Sequence, residues 1–127
     1  MSDIDTRKKI LVAEDDDFLA SAYSVKLGKQ NYEVRIVKDG EATINALAEF
    51  SPDLLLLDLV MPKKDGFAVL QEMQTRGLTT KIPVLVTSNL GQAEDKTRAL
   101  NLGARDYIVK SDSSLEDIVK KVAEMLK

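Results

Sequence analysis

The sequence predicts a doubly wound α/β fold, a five-stranded parallel sheet flanked by five helices, from three observations. Short apolar runs alternate with amphipathic stretches along the chain. The central runs are nearly continuous in Ile, Leu and Val, as parallel strands buried on both faces require. The breaks between elements are short, marked by Asp39-Gly40, Gly77 and Gly103, with no repeat, low-complexity stretch or long linker. Parallel neighbours then need right-handed helical crossovers.

Each element follows from local pattern. Lys9 to Ala13 (KILVA) reads as the first strand. Leu19, Ala22, Tyr23 and Leu27 fall at i, i+3, i+4 and i+8, the apolar stripe of a first helix capped by Asp16 or Asp17. Glu33 to Val37 (EVRIV) is the second strand, and Ile44, Leu47 and Ala48 repeat the helical spacing. Leu54 to Leu57 is the third strand. Pro62 and Asp65-Gly66 read as loop-shaping, Lys63 and Lys64 as solvated loop charges, and Phe67 and Leu70 anchor a third helix. Ile82 to Val86 (IPVLV) and Tyr107 to Val109 (YIV) are the last strands. Between them, Gln92 to Asn101 carries only Ala93, Ala99 and Leu100, a thin stripe suited to a loosely held or partner-facing helix. The final helix shows Leu115, Ile118, Val119, Val122 and Leu126 on one face, with Ser113 and Glu116 spaced as a capping box.

Composition excludes several function classes. With 127 residues, 44% hydrophobic and 31% charged, the chain is sized for one core. The expectation is one domain over residues 1–127, with residues 1–8 an N-terminal extension and the core at about 9 to 126. No apolar stretch approaches the roughly 20 residues of a membrane span, and MSDIDTRKK lacks the apolar segment of a secretory signal, so a cytoplasmic protein without a membrane partner is expected. The absence of Cys removes disulfides, thiol nucleophiles and thiolate metal sites. The absence of His leaves any chemistry to carboxylates, Lys, Ser, Thr and Tyr. A net charge of -3 gives no sign of direct nucleic-acid binding, which normally shows clustered Lys and Arg.

In doubly wound sheets, ligands bind outside the carboxyl ends of the strands. Here the first strand ends in Glu14-Asp15-Asp16-Asp17, the third in Asp58, the fourth in Thr87-Ser88 and the fifth in Lys110. A single Asp after an apolar strand is usually a turn or capping residue, but the convergence of four strand ends reverses that reading. Glu14, Asp15 and Asp58 together demand either proton uptake or a cation, since a pair of like charges at 4 Å repels by about 4 kcal/mol at an effective dielectric near 20. An all-oxygen cluster favours a hard divalent ion, Mg2+ first. Such an ion beside a Lys and a hydroxyl suits a phosphoryl group, and one carboxylate is then a candidate nucleophile.

The motifs ILVAEDD, LLLLDLVMPKKDG, VLVTS and YIVK, in that order, resemble the receiver domains of two-component response regulators, from Lys9 to about Leu126. The resemblance implies the flavodoxin-like, CheY-like strand order 2-1-3-4-5. It makes Asp58 the phosphoacceptor, with Mg2+ held by the side chains of Asp15 and Asp58, the Val60 carbonyl oxygen, and Glu14 through a metal-bound water. Thr87 and Lys110 contact phosphoryl oxygens. Tyr107 looks like the aromatic switch that turns inward as Thr87 moves. The output then appears on the face of the fourth helix, fifth strand and fifth helix. Implied partners are a sensor histidine kinase or histidine phosphotransfer protein, a downstream effector or output domain, and a second copy of the chain. The implied chemistry is self-phosphorylation and self-dephosphorylation only, and the absence of His fits a recipient.

Three departures from the commonest pattern bear on this. Glu14 stands where many receivers have Asp, one methylene longer with the same charge. Ser111 follows Lys110 where Pro is usual, which puts the loop geometry in question, because a cis bond costs about 2.5 to 4 kcal/mol before Ser. Val60 and Asn89 occupy the positions that tune phosphoryl lifetime in the family, and apolar Val60 cannot orient an attacking water. Two alternatives compete: a phosphatase of the haloacid dehalogenase type, which needs an acid at the Val60 position, and a phosphorylation-independent scaffold, against which Asp15, Asp58, Thr87 and Lys110 argue.

Overall fold

The computed structural model describes residues 6–127, so the expected extension at 1–8 falls partly outside it. The elements are β1 Lys9–Ala13, α1 Asp17–Lys29, β2 Glu33–Val37, α2 Gly40–Phe50, β3 Leu54–Leu57, α3 Gly66–Thr75, β4 Val84–Ser88, α4 Ala93–Asn101, β5 Asp106–Val109 and α5 Leu115–Met125. A 3-10 turn at Lys110–Asp112 separates β5 from α5. The five strands form one sheet in the order β2-β1-β3-β4-β5, every neighbour parallel, as the resemblance implies.

The leucine run of β3 is explained by its central place. Successive side chains point to opposite faces, so Leu55 and Leu57 enter one core with Phe50, Phe67, Val69 and Met73, while Leu54 and Leu56 enter the other with Tyr23, Leu27, Ile118 and Val122. No residue of β3 can be polar without burying an unpaired group. Polarity therefore begins at Asp58, the first residue past the strand.

Three helices start on an Asp. Asp16 accepts from the Leu19 amide at 2.9 Å, Asp39 from Ala42 at 2.7 Å and Asp65 from Ala68 at 2.8 Å. Each satisfies an amide that the first helical turn leaves unpaired and sits at the positive end of the helix dipole. Asp16, not Asp17, is the cap of α1; Asp17 instead pairs with Lys38.

Several sequence expectations shift in detail. The fourth strand runs Val84–Ser88 rather than Ile82 to Val86, because Pro83 has no amide to donate and the ladder to β5 continues through Thr87 and Ser88. The capping box of α5 is Ser114 with Asp117, at 3.1 and 3.0 Å, not Ser113 with Glu116. The 3-10 turn takes up Lys110 to Asp112 and moves the helix start by one residue. On α2 the buried face is Thr43, Ala46, Leu47 and Phe50, leaving Ala48 exposed. On α1, Ala20 joins Tyr23 and Leu27 inside, while Leu19 and Ala22 are half-buried. Lys64 is no solvated charge: half-buried, it pairs with Glu72 at 2.7 Å. Helix α4 is as thin as expected, with Ala99 its one buried residue.

Gly66 opens α3 directly beneath the Asp58 loop. A Cβ there would lie 2.5 Å from the Asp58 carbonyl oxygen and 2.7 Å from the Leu59 Cα, both backbone atoms. Gly28, in the last turn of α1, has nothing within 4 Å of a built Cβ. Gly66→Ala is expected to lower unfolding stability by about 1 to 3 kcal/mol through overpacking, and Gly28→Ala to raise it by about 0.5 to 1 kcal/mol. Urea denaturation of the two variants tests the opposite signs.

Candidate functional site

The parallel sheet carries β1, β3, β4 and β5 to one edge, and their C-terminal residues meet there. Glu14, Asp15 and Asp58 each offer a carboxylate oxygen, and these lie within 4.8 Å of one another. Asp58 is held from behind, its amide donating to the Ala13 carbonyl at 3.0 Å, which extends the β1–β3 ladder by one rung. Its Oδ1 accepts from the Val60 amide at 3.3 Å, which turns the chain sharply past the strand. The side chain is 6% exposed, at the floor of a cleft of about 430 Å³ lined by Glu14, Asp15, Asp16, Asp58, Asn89 and Lys110, with Leu19 and Val60 at its sides.

Lys110 is the counter-charge. Its Nζ lies 2.6 Å from Glu14 Oε1 and 3.2 Å from Asp58 Oδ2, bridging two buried carboxylates. Glu14 spends its second oxygen on the Asp16 amide at 3.1 Å. The extra methylene of Glu is what lets one carboxylate reach both partners. Burial pushes the Glu14 carboxyl up; the Lys110 hydrogen bond pulls it down and the Asp58 charge raises it again, leaving it above its ordinary 4.5. For Lys110, burial works against the charge, but the hydrogen bond to Glu14 and the two carboxylates outweigh it, so its pKa rises above 10.5. One ammonium faces three carboxylates, and the site retains an excess of negative charge.

That excess and the donor chemistry fit a hard divalent cation: three carboxylates within reach, no nitrogen or sulfur donor, and room for retained waters. Asp15, exposed, and Asp58 present oxygens to the cleft. Glu14 is already engaged by Lys110 and by the Asp16 amide. Val60, the residue expected to supply a backbone carbonyl, lies on the cleft wall and is 60% exposed.

Thr87 sits at the end of β4, fully buried behind the cleft, and its Oγ1 has no hydrogen-bond partner. Ser88, also buried, is a turn residue whose Oγ accepts from the Leu90 amide at 3.2 Å. Tyr107 is already turned inward, 7% exposed, donating to the Leu90 carbonyl at 2.5 Å. The Lys110–Ser111 peptide is trans, there being no cis bond among the described residues, and Lys110 enters the 3-10 turn directly. The structure thus gathers Glu14, Asp15, Asp58, Val60 and Lys110 around one cleft and sets Thr87 and Tyr107 behind it. What the sequence missed is the direct Glu14–Lys110 bond and the buried phenol of Tyr23, whose hydroxyl also lacks a partner. A Tyr on a helical stripe reads only as packing, so no local pattern signals the second.

A five-stranded parallel sheet in the order 2-1-3-4-5 with an acidic cluster at its carboxyl edge is the architecture of receiver domains. The chain matches the response regulator receiver domain over residues 10–123 and belongs to that family. It is 34% identical over 119 residues to the DNA-binding dual master transcriptional regulator RpaA of Synechocystis, covering 94% of this chain and 49% of that protein. The chain spans about half the length of the curated relatives it matches. Among solved structures, it resembles the phosphorylated cyanobacterial phytochrome response regulator RcpA, with a TM-score of 0.84 at 33% identity, covering 95% of this chain and 94% of that one. It also resembles the Mn2+-bound form of the response regulator Rcp1, TM-score 0.77 at 31% identity, covering 93% and 91%. The family therefore includes a DNA-binding member, which runs against the expectation, drawn from net charge, of no direct nucleic-acid binding. No helix among the described residues is long and apolar enough to cross a membrane.

Removing Lys110 should expose the charge imbalance. Breaking a buried pair costs about 3 to 5 kcal/mol, so Lys110→Met is expected to be destabilised by that order at pH 7. The folded pKa of Glu14 lies above the unfolded one, so stability is lost as pH rises through it. The Lys110 contribution is present throughout this range, lasting until pH passes its folded pKa above 10.5. The gap between wild type and variant should narrow between pH 7 and pH 5; urea midpoints showing a constant gap would contradict the assignment.

Proposed function

We propose that this chain is a response-regulator receiver that takes a phosphoryl group onto Asp58 from a phosphohistidine donor, a sensor histidine kinase or a phosphotransfer protein, in a Mg2+-dependent step. The observation that carries this is the place of Asp58: a carboxylate rigid at the end of the central strand, at the floor of a cleft it shares with Asp15, Glu14 and Lys110. Asp58 supplies the attacking oxygen; the new O–P bond forms as the P–N bond to the donor imidazole breaks, and the imidazole keeps the electron pair and takes a proton from solvent. Asp15, Asp58 and the Val60 carbonyl would hold Mg2+, with Glu14 acting through water, and the ion would supply charge neutralisation to the phosphoryl oxygens. Lys110 leaves its bridge to pair with one phosphoryl oxygen, and Thr87 donates to another. A phosphorylated relative, RcpA, and a Mn2+-bound relative, Rcp1, support the reading.

The relay follows from the packing. Helix α4 buries only Ala99 and is otherwise held by the Arg98 guanidinium 4.0 Å from the Phe67 ring centroid and by the Gln74 amide donating to the Asn101 carbonyl at 3.1 Å, so it is an element that moves at low cost. Movement of Thr87 changes the space beside Tyr107, whose hydroxyl grips the Leu90 carbonyl just before α4. The α4–β5–α5 face then carries the signal to an effector, an output domain or a second copy. On this reading residues 1–127 form one receiver domain of a cytoplasmic regulator, which turns over only its own phosphoryl group.

With Mg2+ and a small acyl phosphate, mass spectrometry should show one phosphoryl increment in wild type and none in Asp58→Asn. No adduct would favour a scaffold, and rapid turnover of phosphate esters a phosphatase. The adduct is expected to persist for minutes or longer, because Val60 cannot orient water; loss within seconds would contradict this.

A further inference from the structure

Two buried hydroxyls lie behind the cleft with no hydrogen-bond partner: Thr87 Oγ1 on β4 and Tyr23 Oη on α1. They are on the same side of the sheet. Leu85, two residues before Thr87, packs in one cluster with Tyr23, Ile118 and Val122, and strand alternation places Thr87 on that face too. Tyr23 is 1% exposed and Thr87 0%. Neither hydroxyl meets hydrogen-bond geometry, yet the two side chains are near enough to interact: burial raises the Tyr23 pKa, and the hydrogen-bonding pull of the Thr87 side chain and then the Lys110 charge act against that rise. A phenol kept dry in an apolar cluster, when Phe would pack as well, points to a partner that is present in another state.

We propose that Tyr23 is a positioning residue for the phosphoryl-binding hydroxyl, its Oη donating to Thr87 Oγ1 when Thr87 gives its own proton to an oxygen of the group on Asp58. A threonine hydroxyl has one proton and two lone pairs, so it can serve both partners at once. Its donation to a charged oxygen makes its own oxygen a better acceptor for Tyr23 only if that oxygen stays aimed at α1, which Tyr23 enforces. In the free protein both hydroxyls remain unpaired; in the loaded protein both are satisfied. No bond is made or broken, and no proton leaves either residue. The inference rests on the phosphoacceptor reading of Asp58.

The test uses beryllofluoride with Mg2+ as the phosphoryl mimic, its dissociation constant followed by 19F NMR on the full chain. Tyr23→Phe removes only an unpaired hydroxyl from the free state, so the variant should melt at or above the wild-type temperature. It should bind beryllofluoride about 3- to 10-fold more weakly, the worth of one net hydrogen bond. A packing role would lower both. In a Thr87→Val background Tyr23→Phe should change nothing further, and in Thr87→Ser, which keeps the hydroxyl, its effect should return. Unchanged affinity in wild type, or the same loss with Thr87→Val, overturns the role of Tyr23 while leaving Asp58 as acceptor. A wild-type protein that binds no beryllofluoride overturns the acceptor reading, and the Tyr23 role with it.

Discussion

One ammonium set between buried carboxylates governs the carboxyl edge of this sheet. Lys110 bridges Glu14 at 2.6 Å and Asp58 at 3.2 Å, while Asp15 remains exposed beside them. Without the lysine, two desolvated negative charges would face each other, at a cost of several kcal/mol. With it, the edge is stable but still short of positive charge. The same imbalance that must be held in the resting protein is what draws a cation and then a phosphoryl group on the proposed function. Structural tolerance and chemical readiness come from one interaction.

The rest of the fold serves that arrangement. A buried β3 made only of leucine fixes where Asp58 starts, and Gly66 lets the following helix close under its carbonyl. Three further acids, Asp16, Asp39 and Asp65, are consumed in capping helices at the same edge. Glu14, Asp15 and Asp58 cap no helix and form the cluster. Behind the cleft the packing is uneven: β4 is buried throughout, while α4 buries only Ala99, with a cation–π contact from Arg98 and a hydrogen bond from the Gln74 amide to the Asn101 carbonyl. A change at Thr87 therefore has a soft element to act on.

Much of this could be read from residue order. Apolar runs of parallel-strand character located β1, β2 and β3 to the residue, and the strand-end residues Glu14, Asp15, Asp58 and Lys110 met in one cleft because parallel topology leaves them no other place. What failed was local. The choice of cap is degenerate: SDSSLED holds two overlapping capping boxes, Ser113 with Glu116 and Ser114 with Asp117, and only the length of the 3-10 turn selects the second. The turn of α2 by one position, exposing Ala48 and burying Ala46, depends on packing against α3 and β1 that periodicity does not contain. The role of Glu14 as a two-way anchor depends on the reach of one methylene, visible only once Lys110 is in place. Tyr23 lies on an apolar stripe and its ring belongs to the core; the unpaired hydroxyl depends on how α1 lies against the sheet, which the stripe does not encode.

The account stands on the residual negative charge of the cleft, and a direct measure of it is melting temperature against Mg2+ concentration at low ionic strength. A ligand that binds only the folded state raises stability with the logarithm of its concentration. Wild type should gain several degrees between Mg2+-free buffer and about 100 times its dissociation constant, and Asp15→Asn, which removes one of the three carboxylates without touching the Lys110 bridge, should lose most of that gain. A wild-type melting temperature indifferent to Mg2+, or one that rises equally in Asp15→Asn, would contradict it.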